Sequence, residues 1–207
     1  MSSLLIPVLN LNKNSFGSYL AGLIEGDGSI KVPETERSQK AKKLYPQITI
    51  IFVEKDLPLA ELISKKLDAT LNKGPGKFYV LSVYKKASLY LVANYLNGKF
   101  RTPKIEALHR LIIWFNSLNE FPKLEVLPVD NSDIKKNFWF AGFSDSDANF
   151  LISFTIKDSL IKNINFTYRI SQKQNYHRIS ETVKTDTSFL PVMSSIVLAF
   201  NSKVEII

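Results

Sequence analysis

The chain has 207 residues, 45% of them hydrophobic and 22% charged, with 27 Lys and Arg against 19 Asp and Glu for a formal net charge of +8. That length can bury one good core or two small ones, and the positive balance favours a polyanionic partner such as DNA or RNA. Cysteine is absent and the two histidines, His109 and His177, stand alone in their segments, which excludes disulfide scaffolds, cysteine nucleophiles and zinc sites built on clustered ligands.

Residues 1–16 show no charged n-region, cleavage pattern or arginine-rich amphipathic helix, so no targeting segment is expected. Apolar runs such as Leu111 to Phe115 fall far short of the roughly 20 residues that span a bilayer. From Tyr19 to Ile30 the sequence aligns without gaps on Trp139 to Phe150, at an offset of 120 residues. Ala-Gly, an acid, and a second acid two positions later recur in register. An internal repeat changes the reading of everything around it.

Each copy reads as a helix followed by two strands. In the first, Ser15 or Asn14 is the expected cap; in the second, Asn137 or Asp133. Ile30 and Val32 flank Lys31, then Ile48, Ile50 and Phe52 alternate with Gln47 and Thr49. The spacing of Leu59, Leu62, Ile63 and Leu67 predicts a helix over residues 56–67, with Pro58 near its start. A strand is expected around residues 78–84, with little room for a full second hairpin between Gly76 and Lys86. Helices follow near residues 88–96 and after Thr102-Pro103, the latter carrying Ile105, Leu108, Leu111, Ile112 and Phe115. Pro122 and Pro128 interrupt periodicity between Asn119 and Ser132, which marks a linker. The resulting division is residues 1–118, linker 119–132, and 133–207.

In the second copy, Phe150, Ile152, Phe154 and Ile156 share one face and Asn149, Ser153, Thr155 and Lys157 the other. Ile164, Phe166, Tyr168 and Ile170 then alternate with Asn163, Asn165, Thr167, Arg169 and Ser171. After an apolar segment at 189–200 the chain runs to Ile207. About 60 residues follow Asp147, against about 90 between Asp27 and the linker, so the second half reads as short.

Glycine inside a helix costs up to about 1 kcal/mol relative to alanine. Its recurrence at Gly22 and Gly142 therefore suggests two helices packed backbone to backbone. Both helices end in an acid, Asp27 and Asp147, where the dipole is unfavourable for a carboxylate. A divalent cation reverses that sign, and the carbonyls of Gly26 and Ser146 add hard oxygens suited to Mg²⁺.

Leu20-Ala-Gly-Leu-Ile-Glu-Gly-Asp-Gly28 resembles the LAGLIDADG signature of homing endonucleases, and Phe140 to Ala148 is similar to a more divergent second copy. Asn97 to Arg110 and Ser171-Gln-Lys-Gln174 also resemble segments of double-motif enzymes encoded by organellar group I introns. The resemblance implies an α+β fold of two pseudo-symmetric αββαββα halves whose antiparallel sheets saddle the DNA major groove. It implies site-specific double-strand cleavage by a mitochondrial, monomeric, magnesium- or manganese-dependent nuclease, with Asp27 and Asp147 as catalytic metal ligands. The expected DNA-facing set is Lys31, Gln47 and Thr49 with Asn149, Ser153, Thr155, Asn165, Thr167, Arg169, Ser171 and Lys173. Arg37, Lys40, Lys42 and Lys43 are suited to phosphates. Lys99 and Lys104 are candidate helper lysines. The alternative is an intron RNA maturase, or a DNA- or RNA-binding protein whose shortened second half cleaves weakly or not at all.

Overall fold

The computed structural model describes residues 11–176 and 187–204. Helix α1 (Lys13–Asp27) is capped by Asn12, whose Oδ1 accepts from the Ser15 amide at 2.9 Å. The cap lies two or three residues earlier than expected, because Asn12 is the residue placed to reach the third free amide of the first turn. From Asp27 the chain passes directly into β1 (Gly28–Lys31), and a loop leads to β2 (Gln47–Val53). A short 3₁₀ turn at Glu54–Asp56 opens α2 (Leu57–Leu67), with Pro58 in its first turn, where its missing amide costs nothing. Asp68, at φ 49°, closes α2 in the left-handed conformation.

Strand β3 (Thr70–Lys73) follows at once and pairs with β4 (Phe78–Val83), so the first half does contain a second hairpin. The expectation of too little room counted only from Gly76. The missing strand is four residues long and starts immediately after the helix cap, with too few alternations to register as a period. The four strands form one antiparallel sheet in the order β1-β2-β4-β3. Helices α3 (Lys86–Leu96) and α4 (Ile105–Ser117) complete this half. Ile48, Ile50, Phe52, Leu81 and Val83 on the inner face share one core with residues of all four helices, among them Leu20, Ile63, Val92 and Leu108.

Residues 119–138 carry no helix or strand, yet they are tied to the first half. Asp130 N donates to Phe100 O at 2.8 Å, Asn97 bonds both Glu125 O and Leu127 N, and His109 Nε2 lies 2.9 Å from Leu127 O. Helix α5 (Trp139–Asp147) then repeats the motif and runs into β5 (Ala148–Lys157). Asn137 Oδ1 accepts from Trp139 N, whereas Asp133 caps the turn before it by accepting from Lys135 N. Asp158 and Ser159, both at positive φ, turn the chain into β6 (Leu160–Ile170). Helix α6 (Leu190–Phe200) follows, and Phe200 stacks on Phe140 of α5.

The order α5-β5-β6-α6 thus repeats α1-β1-β2-α2. The covering layers differ. Ile30, Ile48 and Ile50 are buried beneath the helices, whereas Phe150 and Phe166 are 78% and 77% exposed. Among the described residues, nothing in the second half takes the place of β3, β4, α3 and α4. His177 and the end of the tail, residues 205–207, lie outside the described residues, and no described helix is long and apolar enough to cross a membrane.

Helices α1 and α5 meet at their glycines. A Cβ on Gly22 falls 2.0 Å from Trp139 O and 2.6 Å from Phe143 N; one on Gly142 falls 2.0 Å from Tyr19 O. Each glycine therefore admits the other helix's backbone. Gly22→Ala or Gly142→Ala is expected to cost about 3 kcal/mol by forcing the helices apart. Gly76→Ala, at a turn where a Cβ makes only ordinary contacts, should stay within about 0.5 kcal/mol of the parent. Urea melts of the three variants check both.

Candidate active site at the paired helix ends

The glycine contact fixes what surrounds it. One turn further along, each helix offers an acid to the other helix's aromatic residue. Trp139 Nε1 donates to Glu25 Oε2 at 2.5 Å, and Tyr19 OH donates to Asp145 Oδ2 at 2.7 Å. These four residues are related by the same 120-residue offset as the motifs, so the first acid of each copy is a cross-helix acceptor. Glu25 also accepts from Thr102 N and Oγ1, each at 2.6 Å, and from Arg101 N at 3.0 Å. Its burial pushes the carboxyl up to about 7 although all four donors pull the other way. Arg101 lies over the Trp139 ring and pairs with Asp130 at 2.8 Å, which fastens the linker to the same junction.

The second acids lie at the helix ends. An ideal Cβ on Gly26 falls 1.8 Å from Ser146 Oγ and 2.8 Å from Asp147 Oδ2, so a side chain at residue 26 would fill the space between the two ends. Asp147 rises to about 6, first through burial and then through the negative charge of Asp27, with Lys104 and Gln172 opposing. Asp27 is raised chiefly by burial, against the pull of Lys104. Gln172 Nε2 donates to Asp147 Oδ2 and holds that carboxylate from the second half's own strand end.

Lys104 is the cation of the site. Its Nζ donates to Gly26 O at 2.7 Å, Gly28 O at 3.2 Å and Ile24 O at 3.4 Å, where the carbonyls of α1 point out of the helix. Burial pulls its pKa down while Glu25, Asp147 and Asp27 hold it up. The Gly26 carbonyl is therefore engaged by Lys104, not free as expected. Ser146 turns its hydroxyl back to Phe143 O and Gly142 O. Lys99 corrects another expectation: its Nζ bonds Asn14 Oδ1 and its stem packs over Gly17, at the opposite end of α1 from Asp27.

A cleft of about 530 Å³ opens beside these groups, lined by Lys31, Lys104, Arg110, Asp147, Gln172 and Lys173, among others. Arg110 is held by Glu106 at 2.5 Å and by Val32 O. The remaining candidates lie on the sheets. Lys31, Gln47 and Thr49 share the outer face of β1–β2 through the pairs Lys31–Gln47 and Ser29–Thr49. Arg37, Lys40, Lys42 and Lys43 sit in the loop joining these strands, where Arg37 donates to Ala41 O. On the second hairpin Asn149 pairs with Arg169, Ser153 with Asn165, and Thr155 with Asn163; Thr167 faces Leu151, and Ser171 follows β6.

Sequence reasoning missed Glu25 and Asp145 as cross-helix acceptors, and Gln172 and Arg110 as groups at the cleft. For the first pair a signal existed, an aromatic residue and an acid recurring together six positions apart. Nothing in the sequence says that the bond crosses to the other copy.

A carboxyl whose folded value exceeds its unfolded value binds its proton better in the folded chain. The contribution of Asp147 to stability is therefore full below about pH 4, declines as pH rises towards about 6, and stays lost above. Asp147→Asn is expected to raise stability at pH 8 in metal-free buffer, by on the order of 1 kcal/mol after solvent screening. At pH 4 it should change nothing, and paired thermal melts at the two pH values measure the difference.

The family model described as LAGLIDADG endonuclease matches residues 20–115. The intron-encoded DNA endonuclease aI3 of Saccharomyces cerevisiae is 32% identical over 206 residues, covering 93% of this chain and 49% of the relative. An uncharacterized cox1 intron-2 protein of Schizosaccharomyces pombe is 32% identical over 80% of this chain and 48% of its own length. The chain thus spans about half the length of these curated relatives. Among solved structures, the meganuclease I-SmaMI bound to uncleaveable DNA matches with a TM-score of 0.61 at 13% identity, over 91% of this chain and 73% of that one. The repeated motif, the helix pair that carries it and these matches together tie this chain to the LAGLIDADG endonuclease family, whose model matches residues 20–115.

Proposed function

We propose that the protein is a site-specific, metal-dependent double-strand DNA endonuclease of the intron-homing type, acting as a pseudo-symmetric monomer. The observation that carries this reading is the meeting of two helix C-termini, where burial and then the charge of Asp27 raise Asp147 beside the ammonium of Lys104. Two carboxylates at converging helix ends form a hard-oxygen donor set, which fits a divalent cation. Magnesium held by Asp27 and Asp147, with the Gly26 and Ser146 carbonyls nearby, would supply Lewis-acid activation of water and phosphodiester. Among the described residues no cluster of three acidic or histidine ligands exists, so DNA phosphate and water would have to supply its remaining ligands.

The chain's own residues do the rest. Gln172 orients the Asp147 carboxylate. Lys104, anchored on three carbonyls, holds positive charge where the phosphorane's charge develops. Lys31, Arg110 and Lys173 line the cleft as phosphate contacts. The polar outer rows of β1–β2 and β5–β6 meet base edges in the major groove. The reading divides the chain into halves 1–118 and 133–207 and places the protein in the mitochondrion, where the yeast relatives' intron genes point. A second reading, a nucleic-acid-binding or maturase protein with weak cleavage, is favoured by one feature: the uncovered apolar row of β5–β6.

The test uses duplex DNA spanning the intronless insertion site with Mg²⁺. Asp27→Asn and Asp147→Asn should each abolish cleavage while duplex binding in Ca²⁺ persists, and Lys104→Met should slow cleavage about 100-fold. Binding without cutting by the parent chain, unchanged in Asp27→Asn, transfers the assignment to the binding reading.

A further inference from the structure

The outer face of the first sheet changes character along its length. Nearest the interstrand loop it is polar, with Lys31 beside Gln47 and then Ser29, Thr49, Ser82 and Thr70 in one cross-strand row. Beyond that row its centre becomes apolar, with polar Asn72 at the edge beside Val80. Ile51 pairs with Val80, and Val53 with Phe78. Ile51 and Val53 are 51% and 47% exposed, although strands of this length ordinarily turn polar groups to an open face. These positions broke the alternation in the sequence, and the recognition face described above does not use them.

Their place is set by the register. Gly28, the residue after Asp27, pairs with Ile50, so Ile51 and Val53 lie one and three residues past the level of the helix end. At about 3.3 Å per residue the patch extends about 10 Å from that level, which covers roughly three base-pair steps beside the cleavage centre. At the far margin Lys77 is exposed, and Lys73 is exposed and paired with Glu54 at 3.6 Å.

An apolar side chain pressed against a base edge offers no donor or acceptor. Opposite adenine N6 and N7, guanine O6 or cytosine N4 it strips water without replacing the hydrogen bond, which is penalised. Thymine is the exception, because its C5-methyl group projects into the major groove and gains from apolar contact. Resting on the nuclease reading, we propose that Ile51, Val53 and Val80 form a thymine-methyl reader that makes the centre-proximal base pairs of the first half-site thymine-selective.

The experiment begins with the full chain and a randomised duplex library, selected by binding in Ca²⁺ and sequenced. The recovered duplex is then remade with deoxyuridine in place of each thymine of the central region, which removes one methyl and leaves pairing unchanged. Parent chain should lose about fourfold in affinity per contacted methyl. Ile51→Ser and Val80→Ser, which carry no methyl group to meet the thymine methyl, should bind thymine and deoxyuridine duplexes alike while still unfolding in one cooperative transition. A duplex that binds the parent equally with either base, or a consensus without thymine at these positions, overturns the proposal and leaves the nuclease reading standing. Failure to recover any duplex overturns both.

Discussion

Two glycines let two helices touch through their backbones, and the rest of the molecule is arranged around that contact. With Gly22 against Trp139 O and Gly142 against Tyr19 O, no side chain separates α1 from α5. Everything one or two turns further along is brought together as a result. Trp139 reaches Glu25, Tyr19 reaches Asp145, and Gly26 leaves room for Ser146 and Asp147. A wider crossing would break all three relations together.

The contact also explains the electrostatics. Two helix C-termini converge with their partial negative charges, and each bears an acid. Lys104 answers part of this by docking on the carbonyls of Ile24, Gly26 and Gly28 from the start of α4. Thr102, two residues earlier, donates to buried Glu25. The short stretch from Arg101 to Lys104 thus holds Glu25 and docks on the backbone around Asp27. The first acid of this motif, Glu25, is a buried acceptor, and the second, Asp27, stands two residues on at the helix end.

Much of this was legible in the sequence because the repeat doubled every signal. The helix-strand-strand order, the glycine crossing and the two terminal acids followed from residues recurring at one offset, and period-two alternation gave the polar faces of β2, β5 and β6. What escaped depended on contacts between distant segments. Thr70 to Lys73 is too short to show a period. Lys99 and Lys104 look alike in sequence, and only the path after α3 puts one at Asn14 and the other at Gly26. The role of Glu25 shows only when its donors, drawn from residues 101, 102 and 139, are seen around it.

The reciprocal aromatic-acid bonds have a consequence for shuffling the two halves of such proteins. Tyr19 is matched to Asp145, a short acid, whereas Trp139 is matched to Glu25, a longer one. Each bond has one partner in each half. A chimera that grafts a foreign second half onto this first half inherits a donor from one parent and an acceptor from the other, twice over. Compatible grafts are those that carry residues 19, 25, 139 and 145 as a matched quartet.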